Sequence, residues 1–217
     1  MQAYYAARAP YYDAVYLKPE RAKDIAFLAD YLPAVFAGRS VIEVACGTGY
    51  WTQHIARTAA RLVATDATKE PLEFARLRPY TASVTFRRED AYNLPSDLGL
   101  FDAAFAGLWF SHVPIESRAR FIRSLHARLR LGAKVVFIDN SDVQCRELPI
   151  TETDARGNTY QQRELRDGSV HRVLKNFPSE AELTQLLLPF ASGSRFRMLE
   201  NFWLLEYELP GASGRST

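Results

Sequence analysis

The 217-residue chain is 47% apolar and 24% charged, a balance typical of one folded globular domain that leaves little room for disorder. A formal net charge of +2 gives no strong basic field, so the sequence does not support a nucleic-acid partner. Two cysteines without a C-x-x-C pair exclude a disulfide framework and a cysteine zinc site, and they favour a reducing cytoplasm.

The N-terminal half begins with a tyrosine-rich segment and continues into helix and strand patterns. Segment 1–16 contains Arg8 and lacks the unbroken apolar stretch of a secretory signal. No segment reaches the roughly 20 apolar residues that span a bilayer, so we expect a cytoplasmic protein without membrane contact. Apolar residues recur at helical spacing from Pro19 to Phe36 and predict a packing helix. Ser40 to Ala45 predicts a buried strand, followed by a glycine-rich turn and a helix near Tyr50.

Strands and helices alternate along the rest of the chain. Further strands are predicted at 61–65, 84–87, 101–108 and 134–139, and helices at 70–77, from Ile115 to Gly132, and at 178–191. The polar stretch 140–176 contains Asp167-Gly168 between alternating segments, which predicts a hairpin insertion. Two closely spaced strands are predicted at 195–199 and 202–209, and we expect them to pair in antiparallel fashion.

This order predicts an α/β fold, because alternating strands and helices build a parallel sheet with helices on its faces. We expect a three-layer sandwich with a mostly parallel seven-stranded sheet whose last strand is antiparallel. One domain is predicted over 1–210, with N-terminal lid and packing helices in 1–37 and a substrate-side insertion in 140–176. The small polar tail 211–217 is predicted to be flexible.

The glycine-rich turn after the first strand, Glu43 to Gly49, is the strongest functional signal. Such a turn lets backbone N–H groups approach a ligand at the carboxyl edge of a sheet. A dinucleotide fingerprint, G-x-G-x-x-G, places glycine or alanine where this chain has Thr52. A nicotinamide-dependent oxidoreductase is therefore kept only as an alternative.

The segment VIEVACGTGYWT resembles motif I of class I, Rossmann-like, S-adenosylmethionine-dependent methyltransferases, with Ala45 in place of the usual first glycine. ATDAT, REDAYNLP, FDAAFAGLWFSHV and LRLGAKVVFID resemble later motifs of that family in the same order, so that the resemblance covers residues 35–140. It implies that the cofactor is S-adenosylmethionine and that a methyl group passes by in-line displacement to an O or N atom of a small molecule. The four histidines show no ligand spacing, and we predict no metal.

The resemblance also implies which residues bind the cofactor. Asp66 would accept the ribose hydroxyls and Asp90 would bond the adenine amino group. Taken singly, Glu43 could be a carboxylate in a hydrogen-bond network, and either aspartate could be a helix N-cap. The predicted cofactor-binding set is Tyr12, Glu43, Ala45, Gly47, Gly49, Trp51, Asp66, Asp90, Ala91 and Leu108.

The predicted substrate pocket is apolar with a few polar groups, as small-molecule sites are. His112 follows the fourth strand and is the candidate general base, since a histidine is neutral near pH 7. The alternative is that His112 caps or packs beside the helix that starts at Pro114. Segment 1–16 resembles the lid helix of small-molecule methyltransferases, and packing on the sheet is its alternative. The predicted substrate-binding set is Tyr5, Trp109, His112, Asn140, Tyr160 and Arg163.

Two further signals narrow the substrate and the partners. Gly107-Leu-Trp-Phe110 replaces the Asn/Asp-Pro-Pro-Tyr tetrad of enzymes that methylate nucleobases, which disfavours that reaction. The insertion carries basic residues that could attract an anion, but on an exposed hairpin we expect them to be solvated: Arg163, Arg166, Arg172 and Lys175. A non-catalytic binding module on this fold is the remaining alternative, and the chain is expected to be a monomer or homodimer.

Overall fold

The computed structural model describes residues 1–191 and 193–211, so the predicted tail lies outside the described residues beyond Gly211. The α-helices in this part of the chain are α1 (Gln2–Arg8), α2 (Ala22–Phe36), α3 (Tyr50–Ile55), α4 (Lys69–Leu77), α5 (Arg118–His126) and α6 (Glu180–Leu187). Its strands are β1 (Ser40–Val44), β2 (Arg61–Asp66), β3 (Val84–Arg88), β4 (Phe101–Gly107), β5 (Leu129–Asn140), β6 (Glu152–Thr153), β7 (Thr159–Glu164), β8 (Val170–Leu174), β9 (Ser194–Met198) and β10 (Phe202–Glu208).

Seven strands form the central sheet in the order β3-β2-β1-β4-β5-β10-β9. Strands β1 to β5 pair in parallel, while β10 is antiparallel to both of its neighbours. The carboxyl ends of the parallel strands therefore meet at one edge of the sheet, where the functional loops leave it. This architecture confirms the predicted α/β class and the antiparallel last strand.

Apolar cores lie on both faces of the sheet, because successive side chains of a strand point to opposite faces. In β5, Val135 and Phe137 pack toward α5 and α6, whereas Val136 and Ile138 pack toward α2 and α3. All four side chains are fully buried. The two cores hold the sheet between helical layers, which produces the predicted three-layer arrangement.

The helix predicted from Ile115 to Gly132 is shorter than expected. It ends at His126, and β5 already begins at Leu129, which pairs with Phe101 of β4. The prediction was wrong here because Leu129 continues the apolar stripe of the helix, whereas pairing with β4 makes it a strand residue. The prediction at 178–191 is also too long, since α6 covers Glu180–Leu187.

The predicted hairpin insertion forms a small sheet of its own in the order β6-β7-β8. Strands β7 and β8 are antiparallel, and their turn places Gly168 at a φ of 82°. At the other end of the chain, α1 continues into a 3₁₀ segment, Ala9–Val15. Among the described residues, no helix combines the length and apolar character required to cross a bilayer.

Candidate active site

A cavity of about 970 Å³ lies at the carboxyl edge of the sheet. Its walls come from the loops after four parallel strands and from the N-terminal segment, because the topology brings those strand ends together. The turn 45–48 follows β1, Asp66 ends β2, the loop 88–93 follows β3, and the loop 107–112 follows β4. This cavity is the candidate active site.

The turn after β1 is built from backbone in the left-handed region. The φ angles are 55° at Ala45, 56° at Gly47 and 77° at Gly49. Glycine adopts this region at no steric cost, but in an alanine it is strained. Ala45 therefore holds a conformation that suits the glycine expected at this position of the motif.

Asp66 ties the turn to the end of β2. One carboxylate oxygen accepts the N–H of Gly47 at 3.0 Å, and the other accepts the N–H of Thr68 at 2.8 Å. A carboxylate oxygen has two acceptor sites, so each can accept one further hydrogen bond from a ligand. Burial raises the pKa of Asp66, and the backbone N–H donors counteract that rise.

Glu43 lies within the sheet and does not line the cavity. Its side chain is buried, and its Oε2 has no hydrogen-bond partner in the described residues. Burial raises the pKa of Glu43 to about 8, an effect opposed by Thr52 and reinforced by Asp66. Glu43 is therefore mainly protonated at neutral pH.

At the opposite side of the cavity, Asp90 is exposed after β3, and its carboxylate accepts the N–H of Tyr92 at 2.9 Å. Asp90 therefore stabilises a local turn in the loop and is not the N-cap of a helix. The buried Ala91 and the rings of Tyr92 and Trp109 form the adjoining apolar wall. The indole N–H of Trp109 is buried without a partner in the described residues.

His112 stands at the far end of the cavity in a buried hydrogen-bond chain. Its Nδ1 lies 2.6 Å from the carbonyl oxygen of Leu174, and its Nε2 lies 2.7 Å from the hydroxyl of Tyr5. Since a carbonyl only accepts, Nδ1 carries the proton, and Nε2 accepts from Tyr5. Burial, with Lys175 and Arg163 nearby, lowers the pKa of His112 to about 3, so the imidazole is neutral.

The N-terminal segment covers this end of the cavity. The hydroxyl of Thr48 donates to Asp13, and Arg78 bonds both the Asp13 carboxylate and the Thr48 carbonyl. Farther along, Tyr4 packs on Leu165 and Val173 of the insertion. The segment is thus attached to the glycine-rich turn on one side and to the insertion on the other.

The sequence predicts that the basic residues of the insertion are solvated, but the structure shows this for only two of the four. Arg166 and Arg172 are exposed, but Arg163 is 5% exposed and Lys175 is fully buried. Lys175 donates to Asp139 at 2.9 Å and to Ser111. The prediction was wrong for these two residues because each packs against a distant part of the chain: Arg163 against Tyr4 and Tyr5 of the N-terminal segment, and Lys175 against Ser111 and Asp139 at the edge of the central sheet.

Most of the predicted site residues meet around the cavity. The cofactor-set residues that line it are Tyr12, Ala45, Gly47, Trp51, Asp66, Asp90, Ala91 and Leu108, and the substrate-set residues are Tyr5, Trp109, His112 and Tyr160. Glu43 and Gly49 lie outside the lining. Asn140 and Arg163 line a smaller neighbouring cavity.

The buried pair Asp139 and Lys175 is absent from the predicted site. One signal for it was available, since Asp139 is the last residue of the strand predicted at 134–139, at the edge where the loops converge. For Arg163 the signal was alternation, because it shares its inward face with Gln161 and Leu165. Within the described residues, no His, Cys, Asp and Glu side chains form a group of three that could hold a metal ion.

Comparisons with known proteins agree with this geometry. Residues 41–133 match a family model described as a methyltransferase domain. The structure resembles that of a DhpI–SAH complex, with 29% identity, a TM-score of 0.79 and coverage of 97% of this chain and 95% of that chain. A DhpI-SAM-HEP complex is 30% identical, with a TM-score of 0.77 and coverage of 94% of each chain.

Two further similarities are weaker, the first in sequence identity and the second in coverage. The N-methyltransferase NodS from Bradyrhizobium japonicum WM9 is 16% identical, with a TM-score of 0.61 over 89% of this chain and 98% of that chain, so the likeness concerns the fold. The biotin biosynthesis bifunctional protein BioHC of Cellvibrio japonicus is 33% identical over 90 residues. That match covers 40% of this chain but only 18% of the bifunctional protein.

Proposed function

The chain belongs to the class I S-adenosylmethionine-dependent methyltransferases, and we propose that its methyl acceptor is an oxygen or nitrogen atom of a small molecule. The cofactor, S-adenosylmethionine, supplies an electrophilic methyl group on sulfur. Membership of this family removes the nicotinamide-dependent oxidoreductase considered from the sequence. Turnover with the labelled cofactor tests the other alternative, a non-catalytic module on the same fold. The nature of the acceptor is the new part of the proposal.

The residues around the cavity fit the cofactor. Asp66 keeps free acceptor sites toward the cavity, as binding of a ribose diol requires. Asp90 is accessible beside the apolar wall at Ala91, which suits an adenine ring and its amino group. We therefore expect the predicted cofactor set to act here, with Glu43 and Gly49 supporting the turn from outside the cavity.

The observation that carries the small-molecule proposal is the enclosure of the Tyr5–His112 end of the cavity. Tyr5 and Tyr12 of the N-terminal segment, together with Tyr160 and Leu174 of the insertion, wall this end. His112, which accepts the Tyr5 hydrogen bond, is only 5% exposed. A cavity that excludes water here suits a compact acceptor, because alignment and exclusion of water are the main means of promoting methyl transfer.

We expect Tyr5 and His112 to remove the acceptor's proton together. The acceptor oxygen or nitrogen would bond to the methyl carbon as the bond from that carbon to sulfur breaks, and the demethylated cofactor would leave as a neutral sulfide. In the same step the acceptor's proton would pass to the Tyr5 oxygen while the Tyr5 proton moves to His112 Nε2. The Leu174 carbonyl holds Nδ1–H and so keeps Nε2 available as the base. Burial raises the pKa of Tyr5, so its hydroxyl is protonated and able to pass a proton on.

The acceptor class can be tested by incubating the protein with methyl-labelled S-adenosylmethionine and a panel of small hydroxyl and amino compounds. Labelled small-molecule products, formed with stoichiometric demethylated cofactor, are the expected result. Label transferred only to protein or nucleic acid would contradict the proposal. The same preparation, studied by sedimentation, tests the prediction of a monomer or homodimer.

The proton relay is tested with Tyr5→Phe and His112→Gln. Each variant is expected to lower kcat by about 10²- to 10⁴-fold, the usual contribution of general base catalysis, with unchanged cofactor affinity. The matched control is His171→Gln, on β8 but away from the cavity lining. If kcat were unchanged in His112→Gln, the histidine would be a packing residue.

A further inference from the structure

A second cavity of about 220 Å³ adjoins the first at its substrate end. Tyr5, Tyr12, Leu108 and His112 line both cavities, so the two spaces share one wall. The smaller cavity is unusually basic, with five cationic and two acidic residues in its lining. These are Arg8, Lys18, Arg21, Arg163 and Lys175, with Glu147 and Glu164.

Two of the five cations have carboxylate partners. Lys175 is paired with Asp139, which lies behind the cavity, at 2.9 Å. Lys18 is paired with Glu147. The other acid, Glu164, lies on an exposed position of β7. Glu147 also attracts Arg21 and Arg8 at longer range, but none of the three arginines has a carboxylate of the described residues within 4.0 Å.

Arg163 is only 5% exposed, and all of its partners at hydrogen-bond distance are neutral. Its Nε and Nη2 donate to the side-chain oxygen of Gln161 at 3.1 and 2.7 Å, and its Nη1 lies 3.4 Å from the Tyr5 hydroxyl. No carboxylate of the described residues comes within 4.0 Å of it. Because arginine stays protonated in proteins, this is a buried positive charge without a counter-charge.

Two more arginines of the cavity wall, Arg8 and Arg21, support the same interpretation. Arg8 donates to the Tyr4 hydroxyl at 2.8 Å and lies over the Tyr12 ring. Arg21 is 5% exposed, and its Nη1 is buried without a hydrogen-bond partner in the part of the chain that the structure describes. Unpartnered buried donors in a cavity wall indicate a ligand that accepts hydrogen bonds.

We propose that the small cavity binds an anionic oxygen group of the methyl acceptor, with Arg163 as its main partner and Arg8 and Arg21 beside it. This inference rests on the proposed function and specifies its substrate class: a small acid bearing a phosphate, phosphonate or carboxylate. Guanidinium groups present paired donors that match such oxyanions. With the anion held there, the acceptor atom extends past Tyr5 and His112 into the main cavity.

The test measures binding without turnover, using the protein saturated with the demethylated cofactor. Inorganic phosphate and acetate are titrated separately by calorimetry into wild type, Arg163→Gln and Arg8→Gln. We expect at least one of the two anions to bind wild type, and Arg163→Gln to raise its Kd at least about tenfold. The stronger of the two anions identifies the oxyanion class. The control is Arg156→Gln, an exposed residue of the same insertion that is paired with Glu116.

Three outcomes would overturn the inference. Neither anion binds wild type, both arginine variants bind the anion as tightly as wild type, or Arg163→Gln weakens binding of the demethylated cofactor as much as binding of the anion. The last outcome would assign the arginines to the carboxylate of the cofactor. Arg8→Gln, at a partly exposed position of α1, keeps the test usable if Arg163→Gln does not fold. A failed anion titration would leave the methyl-transfer proposal intact, and a failed acceptor screen would leave the titration unaffected.

Discussion

Acidification from about pH 7.5 to about pH 5 is expected to destabilise the protein through His112. Burial and the nearby Lys175 and Arg163 lower the pKa of this histidine from 6.5 to about 3 in the folded state. Between pH 6.5 and about pH 3, His112 binds a proton in the unfolded chain but not in the folded protein. The full free energy of unfolding is therefore present above pH 6.5, and it decreases as the pH falls through this range. At about pH 5, roughly 1.5 pH units below the unfolded pKa, the loss is about 2 kcal/mol.

Urea denaturation of wild type and His112→Gln at these two pH values measures the effect. The variant should be less sensitive to acid by about 2 kcal/mol, because glutamine binds no proton. His126, whose pKa burial lowers to about 4, adds a similar pH dependence to both proteins, and it cancels in the difference. Equal pH dependence in wild type and His112→Gln would refute the conclusion that His112 is held neutral.

Three further substitutions test the site and its support. Asp66→Ala should weaken S-adenosylmethionine binding in calorimetry by about 10- to 100-fold, because a charged acceptor is lost, and unchanged affinity would remove Asp66 from the site. Ala45→Gly should raise the free energy of unfolding by about 0.5–1 kcal/mol by relieving a φ of 55°, whereas the control Ala64→Gly in β2 should lower it. Gly107→Ala should lower the free energy of unfolding by about 1–3 kcal/mol, because the new methyl group would lie 2.7 Å from the Trp51 ring. An unchanged denaturation midpoint would show that the ring moves aside without cost.

Much of the fold could be predicted because its pattern is local. Continuous apolar runs such as Val135 to Ile138 are typical of strands buried on both faces, and the helices between them have a period of 3.6. The helix end near Leu129 could not be predicted from that period, since pairing with Phe101 in another strand decides it. Local preference is weak, and tertiary pairing overrides it.

The convergence of the proposed cofactor residues on one cavity was also predictable, because these residues follow directly after strands that share one edge. Asp66 and Asp90 each occupy the end of a parallel strand or the loop after it, so their convergence follows from the topology. The positive φ of Ala45 could not be predicted from the sequence, since alanine rarely adopts the left-handed region of backbone conformation.

The sequence by itself determined the class of fold, the family motif at Glu43 to Gly49 and the candidate role of His112. Only the tertiary structure decided which charges are buried, because burial depends on what packs against a strand from a distant part of the chain. Arg163 contacts Tyr5 across 158 positions of sequence, and Lys175 bonds Asp139 across 36. These long-range contacts convert basic residues of a surface hairpin into a buried cationic wall beside His112, and no local pattern encodes them.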